Sequence, residues 1–125
     1  MRYEFNELFW GDSTIEKIVI QYDYVVLSIF NDVLQRTLDL KCFNCLGISA
    51  IPIWDEIIID NVIFSNFHSI QNSIWKQLYD VHNLESFVQG KNLNADFWEI
   101  KVILVDKLSF SVFCQKFEIW DSLLS

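Results

Sequence analysis

Apolar and polar residues alternate along much of this chain, the pattern of β-strands with one buried face. Apolar side chains occupy every second position in residues 18–22 and again in residues 25–29. Two antiparallel strands place both sets on one face when opposed residues match in register. The matching pairs are Tyr22 with Val25, Ile20 with Leu27 and Ile18 with Ile29. The pattern therefore predicts a β-hairpin with the two-residue loop Asp23-Tyr24.

Two further strands follow this hairpin in the pattern. Leu38, Leu40 and Cys42 alternate with polar neighbours, which predicts a third strand with one solvent-facing side. Their positions require an even number of residues in the loop that precedes this strand. Residues 56–64 are apolar at nearly every position, which predicts a fourth strand covered on both faces.

The apolar spacing then changes from that of a strand to that of a helix. Four apolar residues recur every three or four positions: Ile70, Ile74, Leu78 and Val81. Ser69 is a residue type that caps the beginning of a helix, and Asn83 is one that ends it. This segment predicts one helix over residues 70–81.

The clearest hairpin lies in the last third of the sequence. Its apolar sets share one face when four pairs are opposed: Leu104 with Leu108, Val102 with Phe110, Ile100 with Val112 and Trp98 with Cys114. This register leaves a three-residue loop, residues 105–107. After Cys114 the apolar positions move to Phe117 and Ile119, and this change of phase predicts a β-bulge.

The order of elements is β-β-β-β-α-β-β in a single domain, residues 1–125. Short connections favour antiparallel pairing, because parallel strands need long crossovers. We therefore predict an α+β protein that is mostly β. Its core is a curved antiparallel sheet of about six strands, partly closed, with one packed helix.

The net charge of the chain limits the kinds of partner that it can bind. The 125 residues include 17 Asp and Glu against 9 Lys and Arg, a formal net charge of −8 at pH 7. Nucleic acid and anionic membranes repel such a chain, so a partner selected by charge is basic. No stretch approaches the about 20 apolar residues that span a bilayer. We expect a cytoplasmic protein whose three cysteines are reduced thiols.

The stretch "WGDS", residues 10–13, holds residue types found in hydrolase triads if His68 or His82 supplies a base. No serine lies in the G-x-S-x-G pattern that exposes a nucleophile. Gly11, Asp12 and Ser13 before a strand are typical of an ordinary turn, in which Gly11 provides backbone freedom. We therefore predict no catalytic residue and no enzymatic activity.

Cys42 and Cys45 form a C-x-x-C motif. A zinc site requires a second pair of ligands, and the remaining candidates, Cys114, His68 and His82, lack the necessary spacing. In an extended segment the two cysteines of the motif point to opposite faces, because three positions is an odd step. We predict buried, small apolar side chains with no metal and no cofactor.

The acidic residues are scattered and do not form the close pairs that acid–base catalysis requires. Scattered acids commonly serve solubility alone. They can also attract a basic protein, and exposed aromatic residues beside them then anchor the complex. The predicted partner-binding residues are Asp23, Asp32, Asp55, Glu56 and Asp60. An exposed tryptophan next to acids would support such a surface.

Four stretches together resemble a group of small bacterial proteins. They are "FWGDSTIEKIVIQYDYVVLSI", "LDLKCFNC", "IIIDNVIFSN" and "FWEIKVILVDKLSFSVFCQKFEIW". In that group an aromatic-x-Asp-(Ser/Ala)-x-Ile turn leads into an Ile-x-Ile strand, and many members are immunity proteins of polymorphic toxin systems, including contact-dependent growth inhibition. The resemblance implies a cytoplasmic, acidic protein that binds its cognate toxin domain. Gly11 stands where a histidine is frequent in the group, and no catalytic residue is implied.

The leading hypothesis is therefore an immunity protein that blocks the active site or substrate path of a basic toxin, such as a nuclease. An alternative is a small β-rich ligand-binding domain or enzyme with a pocket between sheet and helix. That pocket would hold His68 or His82 together with Cys114 or Asp12. A third is a structural subunit with an extended apolar face. The sequence leaves the oligomeric state open.

Overall fold

The computed structural model of the chain describes residues 1–48, 57–67 and 97–122. These ranges contain seven β-strands and a short 3-10 helix, Phe5–Glu7. The strands are β1 (Arg2–Tyr3), β2 (Thr14–Ile20), β3 (Tyr24–Asn31), β4 (Arg36–Ile48), β5 (Ile57–Phe67), β6 (Phe97–Leu104) and β7 (Ser109–Asp121). Within the described ranges, no helix has the length and apolar character needed to cross a membrane.

The strands form one antiparallel sheet that closes into a ring of six. The order is β2–β3–β4–β7–β6–β5, and β5 returns to β2. β1 pairs with β7 beyond the end of β6. The predicted antiparallel, mostly β architecture is confirmed, and the partial closure is in fact a complete ring. The helix predicted over residues 70–81 lies outside the described residues.

The hairpin of β2 and β3 differs from the predicted register by two residues. Val25 lies opposite Ile20, and Leu27 lies opposite Ile18. A shift of two keeps the same side chains on one face, although Ile20 and Tyr22, at the turn end of that face, are exposed. A two-residue loop at Asp23-Tyr24 would need positive φ at Tyr24. The structure instead uses the longer loop 21–23, in which no residue has positive φ, and the Gln21 N–H donates to the Tyr24 carbonyl at 2.8 Å.

The hairpin of β6 and β7 has the predicted register and loop. Trp98 lies opposite Cys114, and Val102 lies opposite Phe110. Lys107 has φ 76°, and the Asp106 carboxylate accepts a hydrogen bond from the Leu108 N–H at 3.0 Å. A left-handed residue at this loop position is typical of three-residue hairpin loops. The local turn geometry thus fixes the register.

The loop between β3 and β4 contains an even number of residues, as predicted. Asn31 pairs with Arg36, which leaves the four residues 32–35 in the loop. Gln35 has φ 55°, and its N–H donates to the Asn31 carbonyl at 2.8 Å. Leu38 and Leu40 consequently face the interior of the ring, where both are fully buried.

β5 confirms the predicted fourth strand, but not its coverage on both faces. Ile63 is 42% exposed. The ladder with β6 shifts register between Ile59 and Asn61. This bulge lets Ile59 and Val62, which are three positions apart, both lie in the core.

Apolar side chains from every strand of the ring fill its interior. The most deeply buried include Val25, Leu27, Ile29, Leu38, Leu40, Ile59, Ile100, Val102, Phe110, Val112 and Ile119. An aromatic cluster packs against this core: the ring of Phe64 lies 4.9 Å from Phe5 and 5.1 Å from Phe117, between centroids. Burial of this apolar surface is the main term that favours the closed ring.

A polar clasp joins β1 to the end of β7. The Tyr3 hydroxyl donates to Asp121 Oδ1 at 2.9 Å, and Arg36 Nη1 lies 3.7 Å from the same oxygen. Burial acts to raise the pKa of Asp121. The hydrogen bonds from Tyr3 and the amino terminus, together with the charge of Arg36, outweigh that effect and lower the pKa below its ordinary value.

Replacing Leu40 by Ala should cost about 2–5 kcal/mol of unfolding free energy, because it leaves a cavity at a fully buried position. The same replacement at Leu108, which is 50% exposed, should change stability by less than about 0.5 kcal/mol. Urea-induced unfolding of both variants measures the difference. Equal losses would contradict the interior position of Leu40.

Asp121→Asn should lower stability at neutral pH and have little effect in acid. A lowered carboxyl pKa contributes stability above the unfolded-state value of about 3.9. That contribution disappears as pH falls through the folded-state pKa. The urea midpoints of the two proteins should therefore converge at low pH. A difference that persists there would show that the clasp does not act through the carboxylate charge.

Candidate functional site

Asp12 and Ser13 form the turn that leads into β2. Asp12 has φ 63°, a left-handed conformation that Asp adopts more readily than most residues. Its N–H donates to the Ile59 carbonyl at 2.9 Å, and the Ser13 carbonyl accepts from the Ile59 N–H at 2.7 Å. The Ser13 hydroxyl is fully buried and accepts from the Asp32 N–H at 3.2 Å. Ser13 thus joins three segments of backbone, and the prediction of a structural turn is confirmed.

Gly11 serves a different purpose from the predicted one. Its backbone lies outside the left-handed region, so conformational freedom is not what the position requires. A Cβ atom here would lie 3.0 Å from Cε1 and Cζ of Phe9 and 3.4 Å from the Asp60 carbonyl oxygen. Glycine therefore provides room for the Phe9 ring.

Asn31 holds the neighbouring turn in place. Its side chain is fully buried, and Nδ2 donates to the Phe9 carbonyl at 3.0 Å. Oδ1 accepts from the N–H groups of Val33 and Leu34 at 3.1 and 2.9 Å. One buried amide thus fixes both the segment that carries Phe9 and the loop that carries Asp32.

These hydrogen bonds bring together several segments at one end of the ring. The Val105 N–H donates to the Ile58 carbonyl at 3.1 Å, which places the β6–β7 loop beside β5. The connected segments carry four exposed aspartates: Asp12, Asp32, Asp60 and Asp106. They also carry four exposed apolar residues: Phe9, Val33, Val105 and Leu108. We call these eight residues the acidic end.

Within the described part of the chain, none of the four carboxylates of the acidic end forms an ion pair. The β6–β7 loop also carries a positive charge, the exposed Lys107 beside Asp106. Several acids elsewhere have side-chain partners: Glu16 accepts from Thr37, Asp39 from Ser28, and Glu99 from Ser111. Four like charges on segments held together by backbone bonds create a negative local potential.

The structure unites only part of the predicted partner-binding set. Asp32 and Asp60 belong to the acidic end. Asp23 lies at the opposite end of β3, where its carbonyl accepts from the Cys45 N–H at 2.8 Å. Asp55 and Glu56 lie outside the described residues. Asp12 and Asp106, which the sequence pattern predicts in turns, also belong to the acidic end but not to the predicted partner-binding set.

Trp120 is an exposed tryptophan beside an acid, the feature expected to support a partner-binding surface. The acid, however, is paired with a lysine. The Trp120 Nε1–H donates to Glu118 at 2.9 Å, and Lys116 lies 3.1 Å from the same carboxylate. The hydrogen bond from Trp120 and then that from Lys116 lower the pKa of Glu118. This pair lies outside the acidic end, and Phe9 is the exposed aromatic residue within it.

The three cysteines are fully buried, as predicted. The prediction that Cys42 and Cys45 point to opposite faces is wrong, because both lie in the core. Asn44 between them has φ 51°, which interrupts the alternation of the strand. The opposite strand changes phase at the same level, since the ladder pairs Cys45 with Cys114 and Phe43 with Lys116. The β-bulge predicted after Cys114 is therefore wrong: β4 and β7 change phase together, and the register of their ladder shifts instead between Cys45 and Gly47.

The residues suggested for an enclosed pocket do not come together. Cys114 is fully buried in the core, whereas Asp12 is exposed at the acidic end. His68 and His82 lie outside the described residues. Among the described residues, no group of three or more His, Cys, Asp or Glu side chains is arranged to hold a metal ion.

No protein-family model and no curated protein matches this chain. The assignment of a function therefore depends on the geometry and charge of the acidic end.

Asn31→Ala should destabilise the protein by about 2–3 kcal/mol, because it leaves two loop N–H groups and the Phe9 carbonyl without their buried partner. Asn66→Ala is the matched control. Asn66 is exposed on β5, and its replacement should cost less than about 0.5 kcal/mol. Urea unfolding provides both values. A cost at Asn31 no larger than at Asn66 would show that the amide does not hold the acidic end.

Proposed function

We propose that this chain is an immunity protein, a non-enzymatic inhibitor that binds a basic toxin domain through the acidic end. The observation that carries the proposal is the set of four exposed carboxylates, none of them in an ion pair within the described residues, on hydrogen-bonded segments that also carry exposed Phe9. Binding covers the active site or the substrate path of the toxin. A toxin that acts on nucleic acid fits best, since its substrate site is basic.

Electrostatic complementarity supports this kind of partner. An excess of negative charge over a rigid surface speeds the encounter with a cationic protein. The formal net charge of −8 adds a long-range attraction of the same sign. Speed of association is valuable to an inhibitor, because every toxin molecule that escapes capture remains active.

The exposed apolar residues supply the second requirement of a stable complex. Charged pairs at the rim of an interface contribute little affinity, and buried aromatic anchors contribute most of it. Phe9 is 65% exposed, and its carbonyl is hydrogen-bonded to Asn31, next to Asp32. Its ring area becomes buried when a partner covers the acidic end.

The network beneath the surface reduces the cost of binding. Ser13 and Asn31 are buried, and their hydrogen bonds hold the backbone of the surrounding turns. A surface that is already ordered loses little conformational entropy when it meets its partner.

Neutralising the acidic end should slow association with the toxin domain encoded immediately upstream. The test variant replaces Asp12, Asp32, Asp60 and Asp106 by Asn, which changes the formal net charge from −8 to −4. Asn tolerates the left-handed conformation required at position 12. The association rate at low salt should fall at least tenfold, and protection on co-expression should weaken.

The matched control removes the same number of charges elsewhere: Glu4, Asp39, Glu99 and Glu118 are replaced by their amides. Its net charge is also −4, so that any difference between the variants reflects the position of the charges. The control should retain the association rate within about threefold. Equal losses in both variants would reject the acidic end as the contact surface. Full toxicity in the presence of the unmodified protein would reject the function itself.

A further inference from the structure

The three cysteines meet where β4 crosses from the regular ladder into an irregular segment. Cys45 lies directly opposite Cys114 of β7, and both side chains are fully buried. Cys42 lies nearby, and its carbonyl accepts from the Cys45 thiol at 3.4 Å. Nothing in the proposed function uses these thiols.

The backbone geometry at Cys45 suits a covalent bond to Cys114. The Cys45 N–H donates to the Asp23 carbonyl and so points away from β7. Opposed residues whose N–H groups point away from each other form the closely spaced pairs of an antiparallel ladder, with Cα atoms about 4.5 Å apart. Disulfides connect Cα atoms that are about 4.4–6.8 Å apart. Cys42, in contrast, lies opposite Phe117.

The strand around Cys45 is also irregular on both sides. Asn44 has φ 51°, and the ladder with β7 shifts register between Cys45 and Gly47. Such irregularities weaken the local hydrogen bonding and ease local opening. A small oxidant can thus reach a pair that is closed to solvent in the static structure.

We propose that Cys45 and Cys114 are a redox-active pair that forms a cross-strand disulfide when a peroxide oxidises the protein. One thiolate attacks a peroxide oxygen, the O–O bond breaks, and the products are a sulfenic acid and water. The second thiolate attacks the sulfenic sulfur and releases a second water. Two thiols and one hydrogen peroxide thus give one disulfide and two waters, and the two electrons pass from sulfur to oxygen.

Cys42 is the competing partner, because its thiol forms a hydrogen bond with that of Cys114, although the ladder places Cys42 opposite Phe117. A hydrogen bond with Cys114, followed by burial, holds the pKa of the Cys42 thiol well above its ordinary value. A protonated thiol is a poor nucleophile. One free thiol therefore remains after oxidation, and the reaction is slow because it depends on local opening.

Treatment of the folded full chain with hydrogen peroxide tests the proposal. The intact mass should fall by two hydrogen atoms, and the thiols that react under denaturing conditions should fall from three to one. Trypsin should then release a cross-linked product of the peptides 42–76 and 108–116. Because the first peptide contains both Cys42 and Cys45, the Cys42→Ala variant is needed to identify the bonded residue.

Cys42→Ala should keep the cross-link, and Cys45→Ala and Cys114→Ala should each lose it. Far-ultraviolet circular dichroism establishes that each variant is folded. If either of the latter two does not fold, the peptide map of oxidised Cys42→Ala decides alone. The oxidised Cys42→Ala protein should also unfold at higher urea than its reduced form, because the bond closes a long loop.

Three outcomes would overturn the proposal. One is an unchanged mass after prolonged peroxide treatment. Another is a gain of oxygen atoms without a cross-link. The last is a cross-link that survives Cys45→Ala and disappears in Cys42→Ala, which would assign the bond to Cys42.

Discussion

The pairing of β4 with β7 is the interaction on which the rest of the structure depends. It joins two groups of strands, β2–β3–β4 and β5–β6–β7, each built from neighbours in sequence or close to it. Nine residue pairs connect β4 to β7, whereas β2 and β5 share two. Without the first contact, both groups would present open edges and a half-covered apolar face to water. Closure through β4 and β7 creates the common interior.

The weaker side of the ring, between β2 and β5, is the side from which the acidic end is built. Backbone bonds from Asp12 and Ser13 to Ile59 extend the short β2–β5 ladder. Two neighbouring bonds, from the Asp32 N–H to the Ser13 hydroxyl and from the Val105 N–H to the Ile58 carbonyl, bring the loops that carry Asp32 and Asp106 close to Asp60. This group of hydrogen bonds thus both reinforces the ring and brings the four aspartates to one end of it. The mutual repulsion of these carboxylates is tolerated because backbone hydrogen bonds and the buried side chains of Ser13 and Asn31 hold the segments together.

Local signals predicted local structure well. The register of β6 and β7 follows from a three-residue loop and four opposed apolar pairs, all within a short stretch of sequence. The β2–β3 register was wrong by two residues because alternation cannot distinguish shifts that keep the same face inward. The prediction that Cys42 and Cys45 diverge was wrong because one left-handed residue, Asn44, reverses the alternation. A positive φ at asparagine leaves only a weak trace in sequence.

The residues of the acidic end show the same difference between features that local sequence predicts and features that depend on non-local pairing. A β2–β3 hairpin already places Asp12 and Asp32 at one end, so their proximity was within reach of the sequence. Asp60 and Asp106 join them only through the pairing of β5 with β2 and β6, which is non-local and leaves no pattern to follow. Asp23 was included because it lies in a turn, yet that turn is at the other end of the hairpin.

Gly11 gives the acidic end a property of its own. The Phe9 ring lies against Gly11, which has no side chain to support the ring. A Cβ at position 11 would lie 3.0 Å from Cε1 and Cζ, so that the Phe9 ring would have to move by a few tenths of an ångström. An uncharged substitution there shifts the exposed Phe9 ring without changing the charge of the acidic end. The shape of the acidic end and its charge can therefore change independently when such a protein evolves to bind a different partner.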